Sequence, residues 1–241
     1  MKSAESIAPD PPERSTEPSV RAVQRALDML DCFSGAREKI TLSEAARLTG
    51  LPISTASRIL STLERAGFVR RSGGAYACGP RLVQIGVNAL QNLPTYEVAE
   101  SILANLTKLT GESSYLGVLG DNGRVIYVRQ CLSPKSIRPA AWLGRTVPVQ
   151  GTAIGAAISG NVGEFGYVAT RQTLEPDVTA VAAPIRGPGG EILAAINLTG
   201  PTYRIGDDDI HRFGIAVVNS AQAISGEIGG STAVQDNSQD K

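Results

Sequence analysis

Histidine is almost absent from this chain: His211 is the only one among 241 residues. The three cysteines, Cys32, Cys78 and Cys131, stand far apart, and none belongs to a Cys-x-x-Cys pair. These scarcities exclude a zinc site of the usual Cys/His kind and leave too few thiols for a disulfide framework. A Gly-x-Ser-x-Gly nucleophile elbow is missing as well, and the one histidine follows a run of acidic residues at a helix start, with no nucleophile paired to it. The expectation is a protein that is not an enzyme and needs no cofactor. No uninterrupted apolar run reaches the ~18–20 residues of a membrane span. Met1-Lys2-Ser3 is not followed by an apolar stretch of the secretory kind. A cytoplasmic protein without membrane contact is expected.

Neither sign of charge is in excess, since 23 Lys and Arg balance 23 Asp and Glu. Their distribution is uneven. Residues 1–19 carry a net −2, residues 20–81 a net +5 and residues 82–241 a net −3, so one short segment is basic in the manner of a nucleic-acid-binding module. Pro9, Pro11, Pro12 and Pro18 stand among charged and small residues in the first nineteen positions. That composition predicts a disordered tail over 1–19, and residues 229–241 read the same way.

Between the tails the hydrophobic periodicity predicts an α+β protein. Val20, Val23, Leu27, Leu30 and Phe33 recur at three- and four-residue spacing, as on one face of a helix, and Ser34-Gly35 ends it. Ile40-Thr41-Leu42 reads as a short extended piece. Ser43 is the expected N-cap of a second helix, which Thr49-Gly50-Leu51 closes. A third helix spans Ile53 to Ala66, with Ala56, Ile59, Leu60 and Leu63 inward and Ser54, Thr55, Ser57, Arg58 and Ser61 outward; Gly67 stands where a left-handed C-terminal residue belongs. Phe68–Arg71 and Ala75–Ala77 flank Ser72-Gly73-Gly74, a hairpin signal. Helix, short strand, helix, tight turn, helix and hairpin in one basic segment describe a winged helix-turn-helix over residues 20–79. Residues 81–93, in a linker of 80–94, read as a helix with too many apolar positions for a free connection. It is either a core helix or, as favoured here, one that also packs on a partner chain.

From Pro94 a second domain, 95–228, is expected. A helix from Tyr96 to Thr110 places Val98, Ile102, Leu106 and Leu109 on one face. Ser114–Gly120 and Arg124–Gln130 flank Asp121-Asn122-Gly123, and Asn-Gly is among the strongest hairpin signals. A second hairpin joins Val178–Arg186 to Glu191–Thr199 through Gly187-Pro188-Gly189-Gly190. Asp207-Asp208-Asp209 place carboxylates at the start of a last helix, Ile210 to Ile228, where the helix dipole favours them. Antiparallel hairpins flanked by paired first and last helices suggest a small-molecule-sensing sheet of the GAF or PAS type.

Over roughly residues 20–226 the sequence resembles the IclR family of bacterial transcriptional regulators. The resemblance is carried by Val23–Leu30, by Leu42-Ser43-Glu44-Ala45-Ala46, by Gly50–Leu60 and by Leu63–Val69. In the second half it is carried by Val181-Ala182-Ala183-Pro184-Ile185, Gly189-Gly190-Glu191 and Ala194–Pro201. It implies a regulator that binds double-stranded operator DNA as a homodimer or a dimer of dimers, under the control of a small organic acid or aromatic compound. The alternative is a winged-helix protein-interaction module without ligand control. Pattern and resemblance together put helix Ile53–Ala66 in the major groove. Ser54, Thr55, Ser57 and Arg58 then face DNA, with Ser54 alternatively an N-cap and Arg58 on either guanine or phosphate. Arg70 and Arg71 on the wing are expected at phosphates or the minor groove, and Arg21 and Arg25 near the backbone.

For the effector, the resemblance points to Trp142, Leu143 and Gly144 in a loop and to Gly151, Thr152, Ala153 and Ile154 at a helix start, where free N–H groups suit a carboxylate. Thr170, Ala180, Asn197 and Thr199 occupy positions where some relatives have Asp, Cys, Ser and Ser. The loss of a carboxylate and a thiol there favours a neutral or aromatic ligand over small keto acids. Asn197 and Thr199 alternate with Ile196 and Leu198 and so share one sheet face, which is either pocket lining or a polar outer surface. Two departures from the family stand out. About nine residues cross from the helix start at Gly151–Ala157 to Gly166-Tyr167, where longer members insert two or three helices, and Ala156 stands where members often have Lys.

Overall fold

The computed structural model describes residues 20–34 and 37–229. The expected tails lie outside them except for Gly229, as does Gly35. The amino-terminal unit contains α1 (Arg21–Asp31), α2 (Leu42–Thr49), α3 (Ile53–Arg65) and a two-stranded wing of β1 (Val69–Ser72) and β2 (Ala75–Cys78). Its core gathers Met29, Phe33, Ile40, Ala56, Leu60 and Tyr76. The face that α1 buries differs from the expected one: Met29, Cys32 and Phe33 point inward, while Val20, Val23 and Leu27 are 70%, 56% and 51% exposed. The apolar periodicity was sound, yet its first half packs against none of the described residues of the core.

Thr41, not Ser43, caps α2. Its hydroxyl accepts from the Glu44 amide at 3.2 Å, and the Glu44 carboxylate accepts from the Thr41 amide at 2.7 Å, a reciprocal capping box. Left-handed Gly50 ends α2, and the Leu51 amide reaches back to the Ala46 carbonyl. Pro52 precedes α3 with no side-chain cap, so Ser54 is not an N-cap. Ile40 pairs with Tyr76 as a single bridge, which ties the segment before α2 to the wing.

Helix α4 (Pro80–Gln91) buries none of its residues, which removes the core-helix alternative. It runs into α5 (Pro94–Thr110), whose inward face is Ala99, Leu103 and Leu106; Val98 and Ile102 flank that core, whereas Leu109 is exposed. Beyond α5 lie β3 (Ser113–Leu119), β4 (Arg124–Cys131), β5 (Thr146–Pro148), α6 (Ala153–Ile158), β6 (Val168–Arg171), β7 (Val178–Arg186), β8 (Ile192–Pro201) and α7 (Asp207–Glu227). The six strands form one antiparallel sheet in the order β5-β4-β3-β8-β7-β6. Asn122 and Gly123 both take the left-handed conformation of a tight hairpin turn between β3 and β4.

The sheet is covered on both faces. Helices α5 and α7 pack together over one, enclosing Leu116, Val181, Ile196 and Leu198. Helix α6 and the loop 132–145 cover the other, against Tyr115, Tyr127, Ala182 and Ala195. Alternation along β8 therefore separates Ile196 and Leu198 from Asn197 and Thr199 as expected, but neither face is an open surface. A register shift in the β3–β4 pairing leaves Val128 opposite no residue, since Leu116 pairs with Arg129 and Gly117 with Tyr127. Tyr127 stays on the α6 side with Val125, and the bulge turns Arg129 to the other face, where it lies over the Tyr96 ring of α5 at 3.9 Å and pairs with Glu100 at 2.6 Å.

Candidate functional site

Two places concentrate the expected functional residues. In α3 the buried side chains are Ala56, Leu60 and Leu63, which turns the opposite face outward. Ser54 and Arg58 are exposed there and Thr55 and Ser57 half-buried, all within the first two turns. On the wing Arg70 is exposed, whereas Arg71 pairs with Glu64 of α3 at 3.3 Å and lies over the Tyr76 ring. Arg71 thus braces wing against helix while most of its side chain remains in solvent. Arg21 is exposed at the start of α1 and Arg25 half-buried one turn on.

The second place is a pocket in the sheet domain, a narrow cleft enclosing about 30 Å³. Its floor is the sheet: Asn197 and Thr199 of β8, Val178 and Ala180 of β7, Thr170 of β6 and Tyr127 of β4. Strand register sets the row Thr199, Ala180, Thr170 side by side. Thr152 and Ala153 form one wall. Gly155 is required behind them, because a Cβ there would come within 2.0 Å of the Val149 carbonyl oxygen, and α6 could not lie so close to the preceding loop. Thr152 caps α6, its hydroxyl accepting from the Gly155 amide at 3.1 Å and donating to the Pro148 carbonyl at 2.7 Å.

Trp142 supplies another wall, on a loop fixed from several sides. The Gln130 side chain accepts from the Trp142 and Leu143 amides, and the Tyr127 carbonyl accepts from the Gly144 amide. Further back the buried Glu112 carboxylate binds Lys135 of the same loop at 2.9 Å and Arg204 at 2.7 Å. The Trp142 indole donates to Glu175 at 3.1 Å, and burial pushes the Glu175 carboxyl above its ordinary range. Burial likewise raises Tyr127, whose hydroxyl therefore stays protonated.

Of the residues expected at an effector, Trp142, Thr152, Ala153, Thr170, Ala180, Asn197 and Thr199 line this one space. Leu143, Gly144 and Gly151 are exposed outside it, and Ile154 is buried in the core behind Ala153, since a helix start turns only part of its first turn toward the sheet. Tyr127, Thr173, Leu174, Glu175 and Val178 belong to the lining without having been anticipated. Ala156 is half-buried and outside the lining. Among the described residues no cluster of His, Cys, Asp and Glu is arranged to hold a metal ion, and no helix is long and apolar enough to cross a membrane.

The segment 159–167, where the chain is short, contains no helix. It lays Phe165 and Tyr167 against α7, with the Tyr167 hydroxyl 3.1 Å from His211 Nδ1 and its ring over Gly214.

Comparison with known proteins agrees with this two-part architecture. Residues 22–73 match the IclR helix-turn-helix domain. Residues 87–162 and 160–226 match the bacterial transcriptional regulator IclR C-terminal domain in two pieces, whose junction falls at the shortened segment. The chain is 26% identical to the transcriptional repressor IclR of Escherichia coli K12, covering 93% of this chain and 99% of that one. Among solved structures, an IclR-type regulator from Silicibacter has a TM-score of 0.73 at 22% identity, over 88% of this chain and 98% of that one. An IclR homolog from Microbacterium hydrocarbonoxydans, solved with 4-hydroxybenzoate, has a TM-score of 0.74 at 20% identity, over 86% and 98%. The chain belongs to the IclR family of bacterial DNA-binding transcriptional regulators, whose members control transcription and are not enzymes.

Proposed function

We propose that this regulator binds operator DNA as a homodimer through α3 and the wing, and that a small organic compound held in the sheet-domain pocket modulates the binding. The DNA end is supported by the outward Ser54 and Arg58 on a helix whose other face is locked in the core. Short hydroxyls and a guanidinium at the N-terminal turns suit base edges and phosphates, and Arg70 extends the basic surface at the wing. One such module makes few contacts, so two must combine for specific affinity. The apolar residues left in solvent on α1 and α4 suit contact with a second copy.

The observation that carries the effector reading is the pair Asn197 and Thr199. Both are buried and both line the pocket, yet Asn197 Oδ1 and Thr199 Oγ1 make no close hydrogen bond among the described residues. Orphaned buried polar atoms cost free energy, and a bound ligand removes that cost. The test is operator affinity, read by salt-dependent gel shift on the DNA adjoining the gene, with and without a compound that raises the melting temperature of the protein. Asn197→Leu is expected to abolish the compound's influence while leaving DNA affinity nearly intact, because ligand control needs differential binding to two states. A folded Asn197→Leu protein that responds normally would remove Asn197 and Thr199 from the site.

A further inference from the structure

We infer that the ligand of this pocket is a small neutral molecule bearing at least one hydroxyl group, an alcohol or a phenol, and that the pocket selects against carboxylates. The inference rests on reading the pocket as the effector site and specifies the chemistry of what enters it. Asn197 Nδ2 donates to the Tyr127 hydroxyl at 3.3 Å, which leaves Oδ1 as an unused acceptor. The Thr199 hydroxyl, which can donate or accept, lies on the same face of β8 with the Tyr115 hydroxyl also near it, and Tyr127 still has its own proton to give. A ligand hydroxyl completes this set at once: it donates to Asn197 Oδ1 and accepts from Tyr127 or Thr199. Exchanging the oxygen and nitrogen of the Asn197 amide does not alter the match, since a hydroxyl serves as donor or acceptor alike. With Oδ1 facing the ligand, as here, a carboxylate would leave that acceptor without a donor, whereas a hydroxyl suits either orientation of the amide; it is therefore charge that selects against carboxylates.

Among the described residues Glu175 is the only charged one in the lining, with no Lys, Arg or His beside it. Arg145 stacks on the Trp142 ring, outside the lining. A carboxylate brought into this space would lose its hydration opposite another carboxylate, with no lining cation to compensate. Thr152 has already used the Gly155 amide at the start of α6. Trp142, Leu174, Val178 and Ala180 meanwhile offer apolar walls against which a ring or short carbon skeleton packs.

The experiment uses the full chain and matched pairs differing only at one carbon: 4-hydroxybenzyl alcohol against 4-hydroxybenzoate, and propane-1,2-diol against lactate. Thermal shift and titration calorimetry read the affinities. In at least one pair the alcohol is expected to bind roughly tenfold or more tightly than its carboxylate, Thr199→Val to weaken the alcohol by a similar factor, and Glu175→Gln to narrow the gap by improving the carboxylate. Thr199→Val conserves shape, so it keeps the test valid even if Asn197 variants fail to fold. A carboxylate that binds the unmodified protein more tightly than its alcohol overturns the inference and leaves the pocket as effector site. Unchanged alcohol affinity in Thr199→Val overturns it too. Failure of all four compounds to bind overturns the effector reading of the pocket itself.

Discussion

At the scale of single residues, Arg58 and Arg70 differ in a way that DNA binding will separate. Arg58 projects from the second turn of a helix whose core face is fixed by Ala56, Leu60 and Leu63, so its reach toward base edges is set by the whole unit. Arg70 sits exposed on the two-stranded wing, which the proposed docking lays along the flank of a duplex. Arg58→Ala is expected to cost about 1–3 kcal/mol on specific DNA and much less on random sequence, whereas Arg70→Ala should weaken both alike and flatten the salt dependence. Equal losses from Arg58→Ala on operator and random DNA would assign it to a phosphate. The exposure of Arg58 was legible from spacing alone, because the apolar positions of α3 fix its outward face. The pocket was half legible. Asn197 and Thr199 follow from the period of a strand, and so does Tyr127, two positions after Val125 on the same face; what no periodicity reveals is the bulge that turns Arg129 to the opposite face. Thr173, Leu174 and Glu175 lie on a connection with no period at all.

At the scale of elements, the capping box of α2 is a pH-dependent fastening. The Glu44 carboxylate accepts from the Thr41 amide and then from its hydroxyl, and these bonds hold its pKa below the ordinary 4.5. The folded protein therefore binds that proton less readily than the unfolded chain. The stability it contributes is complete above 4.5 and is lost as pH falls through the lowered folded value. Circular-dichroism melts of the full chain between about pH 7 and pH 3 should show a shallower acid decline for Glu44→Gln than for the unmodified protein; identical declines would show that the box contributes nothing. The signal was in the sequence as Thr41-Leu42-Ser43-Glu44, a hydroxyl followed three positions on by a carboxylate. Two hydroxyls near one helix start made the nearer look sufficient. Helix α1 misled in a different way: the spacing of an apolar stripe does not say whether it faces the core, and Val20, Val23 and Leu27 do not.

At the scale of the molecule, the surface of α4 is the unresolved account. Val83, Ile85 and Val87 are 62%, 49% and 47% exposed, and Val83 and Val87 share a face one turn apart. Introducing a charge at either, as in Val83→Glu or Val87→Glu, should give a folded monomer by sedimentation with operator affinity reduced well below that of the dimer. A monomeric variant that binds its operator as tightly as before would show that pairing is not needed. The Val128 bulge has its consequence at this scale too. A regular strand would send residues 127 and 129 to the same face; here one extra residue lets Tyr127 border the pocket while Arg129, two peptide units away, grips Tyr96 and Glu100 near the start of α5. Pocket wall and linker anchor become neighbours on one rail, so any tilt of β4 about its bulge is registered at both ends, as in a balance whose pans hang from a single beam.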